Sequence, residues 1–97
     1  MLYVDEQIEI CVSDIESAKE AILGGANSLE LCSNRIEGGI TPSIGFVEEC
    51  VQLFKMKSVE INVLVRPRPG DFCYTSNEFT TIIRDIEASR RAGATGF

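Results

Sequence analysis

Ile8-Glu9-Ile10-Cys11-Val12 and Ser28-Leu29-Glu30-Leu31-Cys32 decide the fold. Each is short, alternates between apolar and polar residues, and reads as a β-strand. The second repeats the Glu-x-Cys spacing of the first. Between them, Ser13 or Asp14 offers a helix N-cap oxygen. Ile15, Ala18, Ala21 and Ile22 then recur at helical spacing, and Gly24-Gly25 stops the run. The same alternation continues downstream. Ser43 caps a second helix with Ile44, Val47, Cys50, Val51 and Phe54 inward. A third strand rich in Ile and Val runs over about 60–66. Ser76 or Asn77 starts a third helix with Phe79, Ile82, Ile83 and Ile86 inward. The strands fall at about 7–12, 28–32 and 60–66, and a fourth begins at about 94–97. Strand, helix, strand in repetition means parallel strands with right-handed crossovers. The fold class is α/β: (βα) units of a TIM-type barrel, cut after about three and a half units. A closed eight-unit barrel needs roughly 200 residues or more. Residues 1–97 therefore form a single partial barrel domain.

Composition narrows the function. Hydrophobic residues make up 44% and charged residues 25%, which is globular and too apolar for a disordered chain. Nine Lys and Arg against 15 Asp and Glu give a net charge of -6. Phosphate neutralisation needs clustered cations, so nucleic acid and anionic membrane surfaces are disfavoured partners. There is no histidine, which excludes Ser-His-Asp and Cys-His catalysis and His-ligated metals within this chain. No apolar run is long enough to span a bilayer. The acidic N-terminal stretch, Met1 to Glu6, does not read as a signal peptide. The four cysteines, Cys11, Cys32, Cys50 and Cys73, show no C-x-x-C spacing. Reduced thiols and a cytoplasmic location follow as the expectation.

Strand parity directs the chemistry. Residues i and i+2 of a strand share a face. Ile8, Ile10 and Val12, with Leu29 and Leu31, must face the covering helices. Glu9, Cys11, Glu30 and Cys32 must then face the barrel interior, with both cysteines at the carboxyl ends of their strands. Parallel neighbours lie about 4.8 Å apart. Two thiols at matching heights come within reach of one ion. Soft thiolates without imidazole favour Cu(I), which accepts two ligands where zinc takes four. Glu9 and Glu30 are expected to pair with Arg66, at the end of strand three, because a buried carboxylate needs a partner or a proton. Plain packing of Cys11 and Cys32 stands against the metal reading, since free cysteine is among the most buried residue types. Cys50 reads as core and Cys73 as an incidental loop residue. Gly38-Gly39 suits a phosphate cradle and a simple turn about equally. Arg35, Arg66 and Arg68 near one rim suit a small anion.

The motifs also carry a resemblance. Glu37-Gly38-Gly39-Ile40-Thr41-Pro42-Ser43-Ile44-Gly45 and Arg66-Pro67-Arg68-Pro69-Gly70-Asp71-Phe72-Cys73-Tyr74, following Glu9-Ile10-Cys11 and Gly25 to Cys32, resemble the N-terminal part of the CutC copper-homeostasis family. The resemblance runs from Glu9 to the end of the chain. It implies a TIM-type barrel, a mostly cytosolic location and Cu(I) held by Cys11 and Cys32. Glu9, Glu30, Arg66, Arg68 and Asp71 complete the candidate binding set. Pro69 departs from the family's usual Gly-Gly, and proline removes an N–H and fixes φ. The family's barrel continues well beyond Phe97. Open sheet edges at strands one and four make a homo-oligomer the expected assembly. Three functions follow: a copper-binding homeostasis protein; a TIM-barrel enzyme on a small anionic substrate, with Glu9 or Glu30 as acid/base and Arg66 and Arg68 as clamp; or a fragment without function of its own.

Overall fold

The computed structural model of the protein describes residues 6–97. Met1 to Asp5, most of the stretch read above for a leader, lie outside the described residues. Three parallel strands, β1 (Glu9–Val12), β2 (Ser28–Leu31) and β3 (Glu60–Val63), pair in sequence order. Helices α1 (Ile15–Leu23), α2 (Ile44–Phe54) and α3 (Ser76–Arg91) follow them in turn. A single parallel bridge between Asn62 and Gly96 starts a fourth pairing. Its ladder is secured by Val63 N–H donating to the Gly96 carbonyl at 3.0 Å. These are the (βα) units of a TIM-type barrel.

Local chemistry sets the boundaries. Asp14 caps α1 by accepting from Ser17 N–H at 2.7 Å, so the cap is Asp14 and not Ser13. Ser43 caps α2 through Phe46 N–H. α3 starts at Ser76, the earlier of the two starts read from the sequence, and Thr75 caps it. Thr75 and Glu78 form a reciprocal capping box, for which Thr75-x-x-Glu78 was the available signal. β3 ends at Val63 rather than near residue 66: Leu64 N–H still donates to the Leu31 carbonyl of β2, but Arg66 exchanges its backbone hydrogen bonds with Thr41 of the loop of residues 33–42.

The core lies on one side of the sheet. Val12, Leu29, Leu31, Ile61 and Val63 pack with Ala18, Val47, Cys50 and Phe54. Cys50 is fully buried there. Ile8 and Ile10 share this face but stay partly exposed, because β1 has no neighbour on its outer side among the described residues. The inward reading of α3 is corrected in part. Phe79 and Ile83 are exposed, and Ser89 is the helix's only buried residue. Among the described residues only the single Asn62–Gly96 bridge follows α3, so no full strand there lies beneath its apolar row.

Candidate functional site

The opposite face of the sheet carries the polar side chains in two layers. In the lower layer the register sets Glu9 beside Ser28. Ser28 Oγ–H donates to Glu9 Oε2 at 2.5 Å, and Asn62 Nδ2–H donates to the same oxygen at 2.8 Å. Asn62 also donates to Ser28 Oγ at 3.1 Å. These bonds favour the ionised carboxylate, so the Glu9 carboxyl titrates below its usual range, with Ser28 the larger cause. The expected partner of Glu9 was Arg66. The structure replaces it with two neutral donors, Ser28 and Asn62, that the sequence reading did not single out for this role.

The upper layer holds the thiols. Cys11 pairs in register with Glu30, so Cys32 sits two residues further along β2 rather than at a matching height. The side chains converge nonetheless, with the two Sγ atoms 4.0 Å apart. Cys11 Sγ–H donates to Glu30 Oε1 at 3.0 Å. Cys32 is buried and its thiol points at the Val12 carbonyl, 3.7 Å away, whereas Cys11 is exposed. The Cys11 thiol is pushed up to about 12, first by loss of solvent and then by the Glu30 carboxylate that accepts its proton. Both cysteines are free thiols. A sulfur–sulfur bond is about 2.05 Å long, so a gap of 4.0 Å is no disulfide. Two metal–sulfur bonds of about 2.3 Å would bridge it with a bend at the metal. Among the described residues no group of three or more His, Cys, Asp or Glu side chains is arranged to hold a metal ion. A two-thiol site therefore suits an ion content with two ligands and not a tetrahedral zinc.

The arginines stand apart from this layer. Arg66 was expected against Glu9 and Glu30 and contacts neither. Its Nη1 donates to the carbonyls of Glu37 at 2.8 Å and Gly39 at 3.1 Å, and its Nη2 to Gly70 at 2.8 Å. Thr41 locks the same junction: Arg66 N–H donates to Thr41 Oγ1 at 2.8 Å, and Thr41 N–H to the Arg66 carbonyl at 2.9 Å. Gly38-Gly39 serves this turn. Gly39 has φ +92, and a Cβ there would sit 2.8 Å from Leu64 Cδ2. Arg68 is held by Glu78 and Asp71, the latter at 3.1 Å, and stacks over Tyr74. Asp71 also accepts from Cys73 N–H, so this pair braces the loop onto the start of α3. Arg35 lies toward α1, where it lowers the Asp14 carboxyl behind the Ser17 hydrogen bonds. It lines a groove with Ile10 and Ala21. The three arginines thus do not form one anion patch. Cys73 is an exposed loop residue.

Residues 6–97 match the family model described as CutC family. The chain belongs to the CutC family. A copper homeostasis protein cutC homolog of Caenorhabditis elegans is 42% identical over 94% of this chain and 36% of its own length. A family protein CutC of Aliivibrio fischeri is 40% identical over 93% of this chain and 35% of its own. The crystal structure of CutC from Streptococcus agalactiae superposes with a TM-score of 0.82 at 29% identity, covering 89% of this chain and 41% of that one. The chain thus spans about a third of the length of the curated relatives it matches. Among the described residues no helix is long and apolar enough to cross a membrane.

Proposed function

We propose that this CutC-family chain serves copper homeostasis by holding Cu(I) between the thiolates of Cys11 and Cys32. The observation that carries this reading is the 4.0 Å separation of the two sulfurs on one face of the sheet, at the carboxyl ends of adjacent strands. A soft two-ligand ion fits such a pair, and the absence of histidine from the chain leaves thiolate as its only soft charged donor. Glu30, a hard oxygen donor, is a poor Cu(I) ligand and is instead placed to receive the proton that Cys11 must lose on binding. The role is buffering or delivery of copper in the cytoplasm. The open outer edge of β1, with Ile8 and Ile10 partly exposed, supports self-association.

The test is a Cu(I) titration against a competing chelator with Cys11→Ser and Cys32→Ser. Loss of one first ligand is expected to weaken binding by more than about a hundredfold, because changes around a metal site that spare the ligands already cost about 10–100-fold. Arg68→Lys is expected to bind as the parent does. Parent-like affinity in both serine variants removes the thiol reading.

A further inference from the structure

We infer that Arg66 is the anchor of a small oxyanion site at the rim of the sheet, separate from the thiol pair and independent of copper. Arg66 is a permanently charged group with five N–H donors. Three hydrogen bonds are made, all to backbone carbonyls of Glu37, Gly39 and Gly70. Nε–H is buried and has no partner among the described residues. No Asp or Glu of the described residues lies within ion-pair distance of this guanidinium, whereas Arg68, two residues on, is engaged by both Asp71 and Glu78. Leaving a buried donor of a charged group unpaired is costly, and native structures usually resolve such an orphan with a water or an ion.

The surroundings are built to hold the guanidinium still. Carbonyls from the loops of residues 33–42 and 66–74 fix Nη1 and Nη2, and Phe72 stacks on the group 4.9 Å from its ring centroid. That leaves Nε–H and a second Nη2–H uncommitted. A carboxylate or phosphate supplies both the missing acceptors and the missing counter-charge, and arginine favours such oxyanions through paired N–H bonds. The place also suits a ligand: it lies beyond the carboxyl ends of the strands, where α/β folds bind small molecules. Phe72 is 72% exposed, so the ring over the group is a solvent-facing loop side chain and not part of the core.

The experiment is nitrogen-15 NMR of the arginine Nε–H groups of the intact protein, titrated in parallel with inorganic phosphate and with acetate. The Arg66 Nε–H signal is expected to shift and saturate while that of Arg68, already bonded to Glu78, stays in place. Saturation with phosphate alone assigns a phosphate group, and with acetate alone a carboxylate. Arg66→Lys keeps the charge but loses Nε–H, and is expected to weaken the preferred anion by about tenfold or more. No shift with either anion, or equal unsaturable drift of all arginine signals, overturns the site. The parent titration decides the matter even if the lysine variant does not fold.

Discussion

The two faces of one small sheet have opposite fates. On the helix side Val12, Leu29, Leu31, Ile61 and Val63 are all no more than 5% exposed and pack into a continuous core. On the other side Glu9, Cys11, Ser28, Glu30 and Asn62 make side-chain hydrogen bonds to one another from strand to strand. Both sets come from the same backbone through simple alternation. The apolar face supplies cohesion. The polar face is left to find partners one by one, and it divides again. Glu9 is satisfied by Ser28 and Asn62, whereas Cys11, Glu30 and Cys32 have chiefly one another. Side chains that the fold does not use for itself are the ones available to a ligand.

Three measurements bear on that contrast. The largest effect belongs to the apolar face. Leu29→Ala is expected to cost about 2–5 kcal/mol in denaturant unfolding, because Leu29 is wholly buried between strand neighbours and helices. A cost near that of a surface change would mean that this face is not the source of cohesion.

The next effect distinguishes two exposed thiols. Cys11 and Cys73 are both accessible, but the Cys11 proton is held at a pKa of about 12. Alkylation by iodoacetamide at mildly alkaline pH is expected to be at least about tenfold slower at Cys11 than at Cys73. Glu30→Gln should speed Cys11 without reaching an ordinary thiol, since loss of solvent is the larger cause. The same shift has a consequence for stability. A thiol whose folded pKa is raised contributes stability below its ordinary value of 9.0, and that contribution drains away as pH climbs toward about 12. Melting temperature should therefore fall across that window, and less steeply in Cys11→Ser. Equal alkylation rates at the two cysteines would falsify the polar-layer description.

The smallest effect lies outside both faces. Thr75→Ala removes the capping-box side chain of α3 and is expected to cost about 1 kcal/mol in thermal or denaturant unfolding. Cu(I) affinity should not change, because the polar partners of the two thiols come from β1 and β2 and not from α3. A change there would couple the helix to the thiol layer and blur the division between the faces.

Much of the fold was legible because its signals are local. Period-two alternation in Glu9–Val12 and Ser28–Leu31, helical spacing after Asp14 and Ser43, and glycine stops are properties of neighbouring residues. The shared face of Cys11 and Cys32 follows from the same parity. The partners of Glu9 and Arg66 were not legible. Reading Arg66 as a counter-ion took it as the last residue of strand three, but the strand stops at Val63: Arg66 lies past the end of β3, beyond Glu9 and beside loop carbonyls. Ser28 and Asn62 look like ordinary strand residues until the register sets them around one carboxylate. Phe79 and Ile83 show the converse error, since an amphipathic row declares a face without saying what will cover it.

The order of residues alone determined the strand–helix rhythm, the sorting of side chains to two faces, and the kinds of donor on offer: thiolates and carboxylates with no imidazole. Only the tertiary structure decided which of those groups meet. Side chains from β1 and β2 that are two residues out of register still bring their sulfurs to 4.0 Å, and the third strand sends Asn62 to Glu9 while carrying Arg66 out to the loops. Alternation is fixed by the covalent geometry of each strand. Stagger, reach and partnership depend on how separate strands settle against one another, and no single segment encodes that.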